Sequence, residues 1–280
     1  MDVAAQIATW LNLLANALGR YLLAPIGWLP GWLSATIVSA ATGVLLLVIF
    51  KCTSNQQAIR RVRDDIKANL LALRLFKDST SVTFRAQGRV FWGAFRLMLL
   101  AIVPMLVMVV PVCLLLGQLA LWYQSRPLRM GEEAVITLKL GDSAESSWPD
   151  VRLEPTSAAE VDVGPVRVLS KREICWRVAG RENGYHRMRF QVDQQTSEKE
   201  IAIGDGFMRL STKRPGWNWS NVLLHPWESP FRPDSAVESI EIDYPDRESY
   251  VSGTDWWVVY WFVTSMVAAL CFRPFLNVNV

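Results

Sequence analysis

The chain carries, at residues 33–50, the uncharged apolar segment LSATIVSAATGVLLLVIF, which runs directly into the basic segment KCTSNQQAIRRVRDDIK at residues 51–67. A transmembrane helix needs about 20 predominantly apolar residues to cross about 30 Å of hydrocarbon. The first segment is therefore predicted to span a membrane as TM1 (32–51). The second indicates the direction of crossing, because short basic loops stay in the cytoplasm.

Two further segments are predicted to span the membrane. TM2 (96–123) is uncharged after Arg96, and the two prolines inside it, Pro104 and Pro111, should kink it. TM3 (255–273) is short and begins with tryptophans that suit a membrane–water interface. The apolar excess of the chain, 51% hydrophobic residues, is concentrated in these three regions.

The charge distribution predicts the topology. Residues 51–96 hold ten basic and three acidic residues, whereas the long stretch 126–255 holds 17 basic and 22 acidic residues. The first stretch should lie inside. The N-terminus and a domain at 124–254 should then lie outside, with a short cytoplasmic tail at 274–280. We expect an integral protein of the bacterial inner (plasma) membrane.

The N-terminal segment 1–31 is predicted to be an amphipathic helix on the outer bilayer surface, followed by a turn. It lacks the basic start of a signal peptide. Its large apolar residues recur at helical spacing: Ile7, Trp10, Leu11, Leu14, Leu18, Tyr21 and Leu22. The alternative, a fourth span, is disfavoured because prolines and glycines interrupt residues 25–31.

The cytoplasmic segment 52–95 is predicted to begin with a helix that Thr53 or Ser54 caps and that runs to about Lys77. Its apolar face is formed by Ile59, Val62, Ile66, Leu70, Leu73 and Phe76, and its basic face by Arg60, Arg61, Arg63, Lys67 and Arg74. The basic face suits anionic lipid headgroups. It equally suits an acidic protein partner or ribosomal RNA.

The outer segment is predicted to be an all-β, immunoglobulin-like sandwich at about 129–212, followed by a Trp/Pro-rich tail that rests on the membrane or on the sandwich. Short alternating runs support it, at 134–140, 151–153, 161–168, 173–178, 186–192, 200–203, 208–211 and, in the tail, 239–244. Asn183-Gly184 predicts a hairpin between 176–178 and 186–190. Trp176, Tyr185 and Phe190 should pack in its core.

The sequence offers no motif for catalysis. The two histidines, His186 and His225, are isolated from any nucleophile pattern, and no Cys/His spacing indicates a metal. Only Cys175 lies in the outer segment, so no disulfide is expected within it. We expect no enzyme, no cofactor and no metal.

Polar residues within the predicted spans form the candidate site. They are Thr36, Ser39 and Thr42 in TM1, Gln118 in TM2, and Thr264 and Ser265 in TM3. Such residues face protein or water rather than lipid. They either help the helices to pack or line a polar, half-open groove.

The order of these parts resembles the Oxa/YidC insertase superfamily, in particular the branch of archaeal YidC-like proteins and the third subunit of the ER membrane protein complex. The resemblance covers about 13–121 and 256–272. It rests on Leu29-Pro30-Gly31-Trp32-Leu33, the polar run 51–57 leading to Ile59 and Lys67, Pro104 and Pro111, and Trp256-Trp257 to Phe262. The chain departs from the family in its insertion of about 130 residues between the last two spans and in the lack of a cation at 33–50.

The resemblance implies a fold of three transmembrane helices with an inserted β domain, and a membrane protein insertase or chaperone. Its partners would be lipids, nascent or client membrane proteins, and the ribosome. The alternative is a membrane-anchored adaptor, or one subunit of an envelope complex, whose outer β domain binds a partner protein. A hydrophilic groove between the spans would favour the insertase, and a dry bundle would favour the anchor.

Overall fold

The computed structural model describes residues 3–75, 80–141 and 148–278, except for the side chains of Arg74 and residues 80–83. The chain forms two compact units. The β unit comprises the residues up to 35 together with 113–260, and the helical unit comprises 36–112 together with the residues from 261 onward.

The helices are α1 (Val3–Leu22), α2 (Gly31–Thr53), α3 (Gln56–Leu75), α4 (Thr80–Tyr123), α5 (Trp219–Leu224) and α6 (Trp257–Phe272), with 3₁₀ helices at Ala24–Trp28 and Leu169–Lys171. The strands are β1 (Glu133–Leu140), β2 (Val151–Leu153), β3 (Ala159–Val168), β4 (Glu173–Gly180), β5 (Gly184–Val192), β6 (Gln195–Ile203), β7 (Lys213–Arg214) and β8 (Val237–Ile242).

Three helices in the described residues are long and apolar enough to cross a membrane: α2, the part of α4 from Phe84 onward, and a segment at Trp257–Leu276 that contains α6. They correspond to the three predicted spans. α4 is a single helix of 44 residues that continues through Pro104 and Pro111. At 1.5 Å per residue it is about 66 Å long, about twice the hydrocarbon thickness. Its first turns therefore belong to the cytoplasmic segment predicted at 52–95.

The cap of α3 differs from the prediction. Thr53 is the last residue of α2, where its hydroxyl donates to the carbonyl of Ile49 at 2.8 Å. Asn55 is the residue that caps α3, because its side-chain oxygen accepts the backbone N–H of Ala58 at 3.0 Å. Of the predicted end of this helix, Phe76 and Lys77 lie outside the described residues.

The β unit contains two antiparallel sheets. A five-stranded sheet has the order β3-β4-β1-β8-β7, and a three-stranded sheet has the order β2-β5-β6. Inward-facing side chains from both sheets form one hydrophobic cluster. In that cluster Trp176 of β4 lies edge-on to Phe190 of β5, with ring centroids 5.5 Å apart. The predicted core position of these two aromatics is thus confirmed, whereas Tyr185 is 46% exposed.

The predicted Asn183-Gly184 hairpin is wrong. β4 pairs with β1 and β3, whereas β5 pairs with β2 and β6, so the chain passes from one sheet to the other at this point. The hairpin in this region joins β5 to β6 through Asp193 and Gln194, with Asp193 at a φ of 49°. Residues 208–211 form no strand, and β8 extends the β-sheet domain well beyond 212 because it pairs with β1.

Helix α1 packs on α5 in the β unit through its small and polar face. Ala5, Ala8 and Asn12 are buried, and the Asn12 amide donates to the carbonyl of Val222. Most of the predicted large apolar stripe points away from this contact: Ile7, Trp10, Leu14, Leu18, Tyr21 and Leu22 are each at least 55% exposed, whereas Leu11 is half-buried. The helix is therefore amphipathic as predicted, with its large apolar face outward.

Candidate functional site

A groove of about 400 Å³ lies between α2, α4 and α6 of the helical unit. Its walls are apolar, with Leu46 and Phe50 from α2, Met108 from α4, and Phe262 and Met266 from α6 among the lining residues. The polar lining residues are Ser265 and Arg273. An acyl chain or a hydrophobic helix fits such a lining far better than a hydrophilic segment does, because a polar group buried without a hydrogen-bond partner costs free energy.

Close packing of α2 against α6 forms the floor of this groove. A Cβ atom at Gly43 would lie 2.1 Å from the carbonyl oxygen of Ser265, so only glycine fits there. Small residues at such a crossing are typical of membrane helices, which gain from close backbone approach. The adjacent hydroxyls bond within their own helices: Thr42 donates to the carbonyl of Val38 at 2.7 Å, and Ser265 donates to that of Phe262 at 3.0 Å.

The six predicted groove residues do not form one site. Ser265 lines the groove, and Ser39 and Thr42 are buried at 2% and 4% exposure. Thr36 and Thr264 are half-buried. Gln118 belongs to the β unit, where its amide nitrogen donates to the side-chain oxygen of Asn16 at 2.6 Å. Its role is to tie α4 to α1.

Arg273 was not predicted as a site residue. It follows the last residue of α6, and its Nε donates to the carbonyl of Val278 at 3.2 Å. The segment 33–50 contains no cation, but the end of α6 places the cation Arg273 on the groove. The sequence signal was its position as the charged last residue of the predicted third span.

In the segment predicted to be cytoplasmic, α3 and the first turns of α4 form a helical hairpin. A Cβ atom at Gly93 would lie 2.6 Å from Cγ1 of Ile66, which shows how closely the two helices approach. Ile59, Val62 and Ala86 are buried, and Cγ1 of Val62 lies 3.9 Å from the same Cβ position. The apolar face of α3 is thereby covered at its N-terminal half.

The predicted basic face of α3 remains on the surface. Arg60, Arg61 and Lys67 are exposed and Arg63 is half-buried, while the side chain of Arg74 lies outside the described residues. These side chains therefore present positive charge to the surroundings of the hairpin.

A buried ion pair in the β unit was missed by the sequence reasoning. Lys199 of β6 is completely buried, and its Nζ lies 2.7 Å from a carboxylate oxygen of Glu228. Ser211 donates to the same oxygen at 2.7 Å, and the backbone N–H of Glu200 donates to the other carboxylate oxygen at 2.8 Å. The sequence did contain a signal for the burial of Lys199, because successive side chains of a strand alternate and Lys199 is in phase with the inward-facing Ile201 and Ile203.

This cluster suits structure rather than catalysis. Burial lowers the pKa of Lys199, but the charge of Glu228 opposes that shift. A Ser–Lys pair that performs nucleophilic catalysis needs a neutral amine as its base. Here the ammonium is bound to a carboxylate that also accepts a hydrogen bond from the Ser211 hydroxyl, so the cluster fastens the segment around Glu228 to β6.

Comparison of the chain with known protein families, with curated proteins and with solved structures finds no match.

Proposed function

We propose that this protein is an Oxa/YidC-like membrane chaperone or insertase that shelters apolar segments of client membrane proteins. The groove between α2, α4 and α6 carries the proposal. The groove has a volume of about 400 Å³ and an apolar lining, so it can hold part of a hydrophobic helix. Arg273 offers a charge to a polar group of the client. The groove is apolar, not the hydrophilic groove that would favour an insertase, so the proposed clients are hydrophobic segments rather than hydrophilic translocated ones.

The proposed topology places the basic hairpin in the cytoplasm and the β unit outside a bacterial inner membrane. Residues 51–96 carry a net charge of +7, and this bias sets the orientation of short loops. In this position the exposed arginines of α3 meet anionic lipid headgroups, and a ribosome or an acidic protein partner is compatible with the same charge.

The outward face of α1 supports the membrane assignment. Leaving a large apolar side chain in water forfeits about 1.5–3 kcal/mol relative to burying it. Six such side chains on one stripe are each at least 55% exposed. A bilayer surface would cover them, since an amphipathic helix inserts its apolar face at the acyl–headgroup boundary.

Site-specific photo-crosslinking in cells tests the proposal. A photoreactive amino acid at Met108, which lines the groove, should yield adducts with nascent membrane proteins. The matched control is Leu106, which lies on the same helix, is 66% exposed and is not among the groove-lining residues. Equal adduct yields at the two positions, or lipid adducts alone, would refute the proposal.

A second candidate, a membrane-anchored adaptor, is favoured by the fit of Gly43 against Ser265 and by the intrahelical bonds of the nearby hydroxyls. The β unit, an immunoglobulin-like sandwich in this proposal, would bind a partner protein, alone or within an envelope complex. Ala269→Phe, which fills the groove, separates the candidates. The adaptor predicts unchanged client levels, and the chaperone predicts that they fall relative to a Val267→Phe control outside the groove lining.

A further inference from the structure

A second cavity, of about 410 Å³, lies in the β unit where α4 ends and α6 begins. One wall is apolar, with Leu116, Ala120 and Leu121 from α4 and Trp257 and Val258 from α6. A second group of lining residues, the polar wall, consists of Lys213 of β7, Glu241 of β8 and His225 after α5. The lining also contains the polar Gln124, which follows α4, and the apolar Leu210 and Leu224. The cavity is therefore amphipathic.

The charged groups of the polar wall are paired with each other and remain partly open to solvent. Lys213 and Glu241 are cross-strand neighbours, and Nζ lies 3.3 Å from a carboxylate oxygen. Their side chains are 24% and 55% exposed. A partly exposed pair of this kind contributes little to stability, so a ligand with matching charges can separate it at little cost.

His225 adds a hydrogen-bond acceptor to this wall. Its Nδ1 lies 3.2 Å from the carbonyl oxygen of Asn221, which assigns the ring proton to Nδ1. Burial lowers the pKa of His225, which favours the neutral ring. Nε2 is then an acceptor, so the wall offers one cation and two acceptors.

We propose that this cavity binds one phospholipid with a phosphoethanolamine headgroup. Lys213 binds the phosphate, Glu241 and the His225 Nε2 accept N–H bonds from the primary ammonium, and an acyl chain lies along the α4 and α6 wall. The volume suits a headgroup with the first part of one chain, since ligand sites span about 300–1,000 Å³. The proposal requires that α4 and α6 enter a bilayer, and it is independent of any insertase activity.

The chemistry of the wall distinguishes between headgroups. A phosphocholine carries a cation without N–H groups, so it leaves both acceptors unpaired. A phosphoglycerol headgroup carries no cation, so its phosphate would leave the Glu241 carboxylate without a counter-charge once Lys213 is engaged. Phosphoethanolamine satisfies all three groups at once, with its phosphate on Lys213 and its ammonium on Glu241 and His225.

Native mass spectrometry of the full chain, purified in mild detergent and mixed with phosphatidylethanolamine, tests the proposal. We expect one lipid bound per chain, with at least tenfold weaker binding of phosphatidylcholine and phosphatidylglycerol. Lys213→Met should reduce binding at least tenfold. Lys139→Met is the matched control, because Lys139 pairs with Glu238 on the same sheet, away from the cavity, and should bind like the unmodified protein.

A second variant guards against misfolding of the first. Ala120→Phe fills the apolar half of the cavity and leaves the charged wall unchanged, so it should abolish binding while the thermal transition of the protein persists. Binding that survives Ala120→Phe, equal loss in the two lysine variants, or an equal affinity for all three lipids would overturn the proposal.

Discussion

Glu228→Gln should destabilise the β unit severely, because it removes the only carboxylate that Lys199 contacts among the described residues. The Lys199 side chain is completely buried, and its remaining acceptors are uncharged, at Ser211 and the carbonyl of Glu200. Breaking a buried ion pair by removing one partner costs about 3–5 kcal/mol, since an uncompensated charge stays inside.

The double variant Lys199→Met/Glu228→Gln should recover most of this loss. It removes both charges, so no uncompensated ammonium stays buried. Lys139→Met serves as the control because the Lys139–Glu238 pair is more than 40% exposed on both sides and contributes at most about 1 kcal/mol.

The assay is thermal unfolding of the full chain in detergent, followed by near-ultraviolet circular dichroism. For a unit of this size 1 kcal/mol corresponds to about 2–4 °C, so Glu228→Gln should lower the transition by about 6–20 °C. A shift no larger than that of Lys139→Met, or a double variant as unstable as Glu228→Gln, would refute the reasoning.

Three further predictions concern other contacts. The hydrogen bonds from Arg126 hold the pKa of Glu132 at about 2 instead of the usual 4.5, so this pair stabilises the fold above pH 4.5 and stops doing so as pH falls towards 2. Glu132→Gln should therefore cost about 1–2 kcal/mol at pH 6 and almost nothing at pH 2, and a pH-independent cost in urea titrations would contradict this. Gly43→Val should force α2 and α6 apart and reduce the yield of folded protein on size exclusion by several-fold, whereas Gly88→Val, with open space around it, should not. Tyr244→Phe should leave the buried N–H of Ala202 without its 3.0 Å acceptor at a cost of about 1–3 kcal/mol, and unchanged exchange of that amide with deuterium would show the reasoning to be wrong.

The sequence predicts those parts of the fold that depend on local pattern. Alternation of apolar and polar residues identifies β1, β2, β4 and β8 within a few residues, and unbroken apolar runs identify the three long helices. Strand pairing does not follow from these patterns. Asn183-Gly184 has the composition of a hairpin turn, but packing of both sheets around Trp176 and Phe190 places β4 and β5 in different sheets.

The candidate site was less predictable than the fold because it depends on which helix faces which. Gln118 reads as one more polar residue in a span, yet Asn16, 102 residues earlier in the chain, accepts its hydrogen bond. Arg273 reads as the boundary of a span but lines the groove. The polar wall formed by Lys213, His225 and Glu241 combines three separate segments of the chain, so no sequence motif contains all three residues.

The contact between α1 and α5 has a consequence for the order of events during synthesis. Asn12 and its acceptor Val222 are 210 residues apart. At about 5–20 residues per second, a ribosome needs about 10–40 s to make the chain between them. For that time the first helix exists without the segment that covers its small, polar face, while its apolar stripe already needs a non-aqueous surface. In the proposed topology the membrane therefore receives this helix well before the β unit is complete, and docking against α5 becomes one of the last steps of assembly.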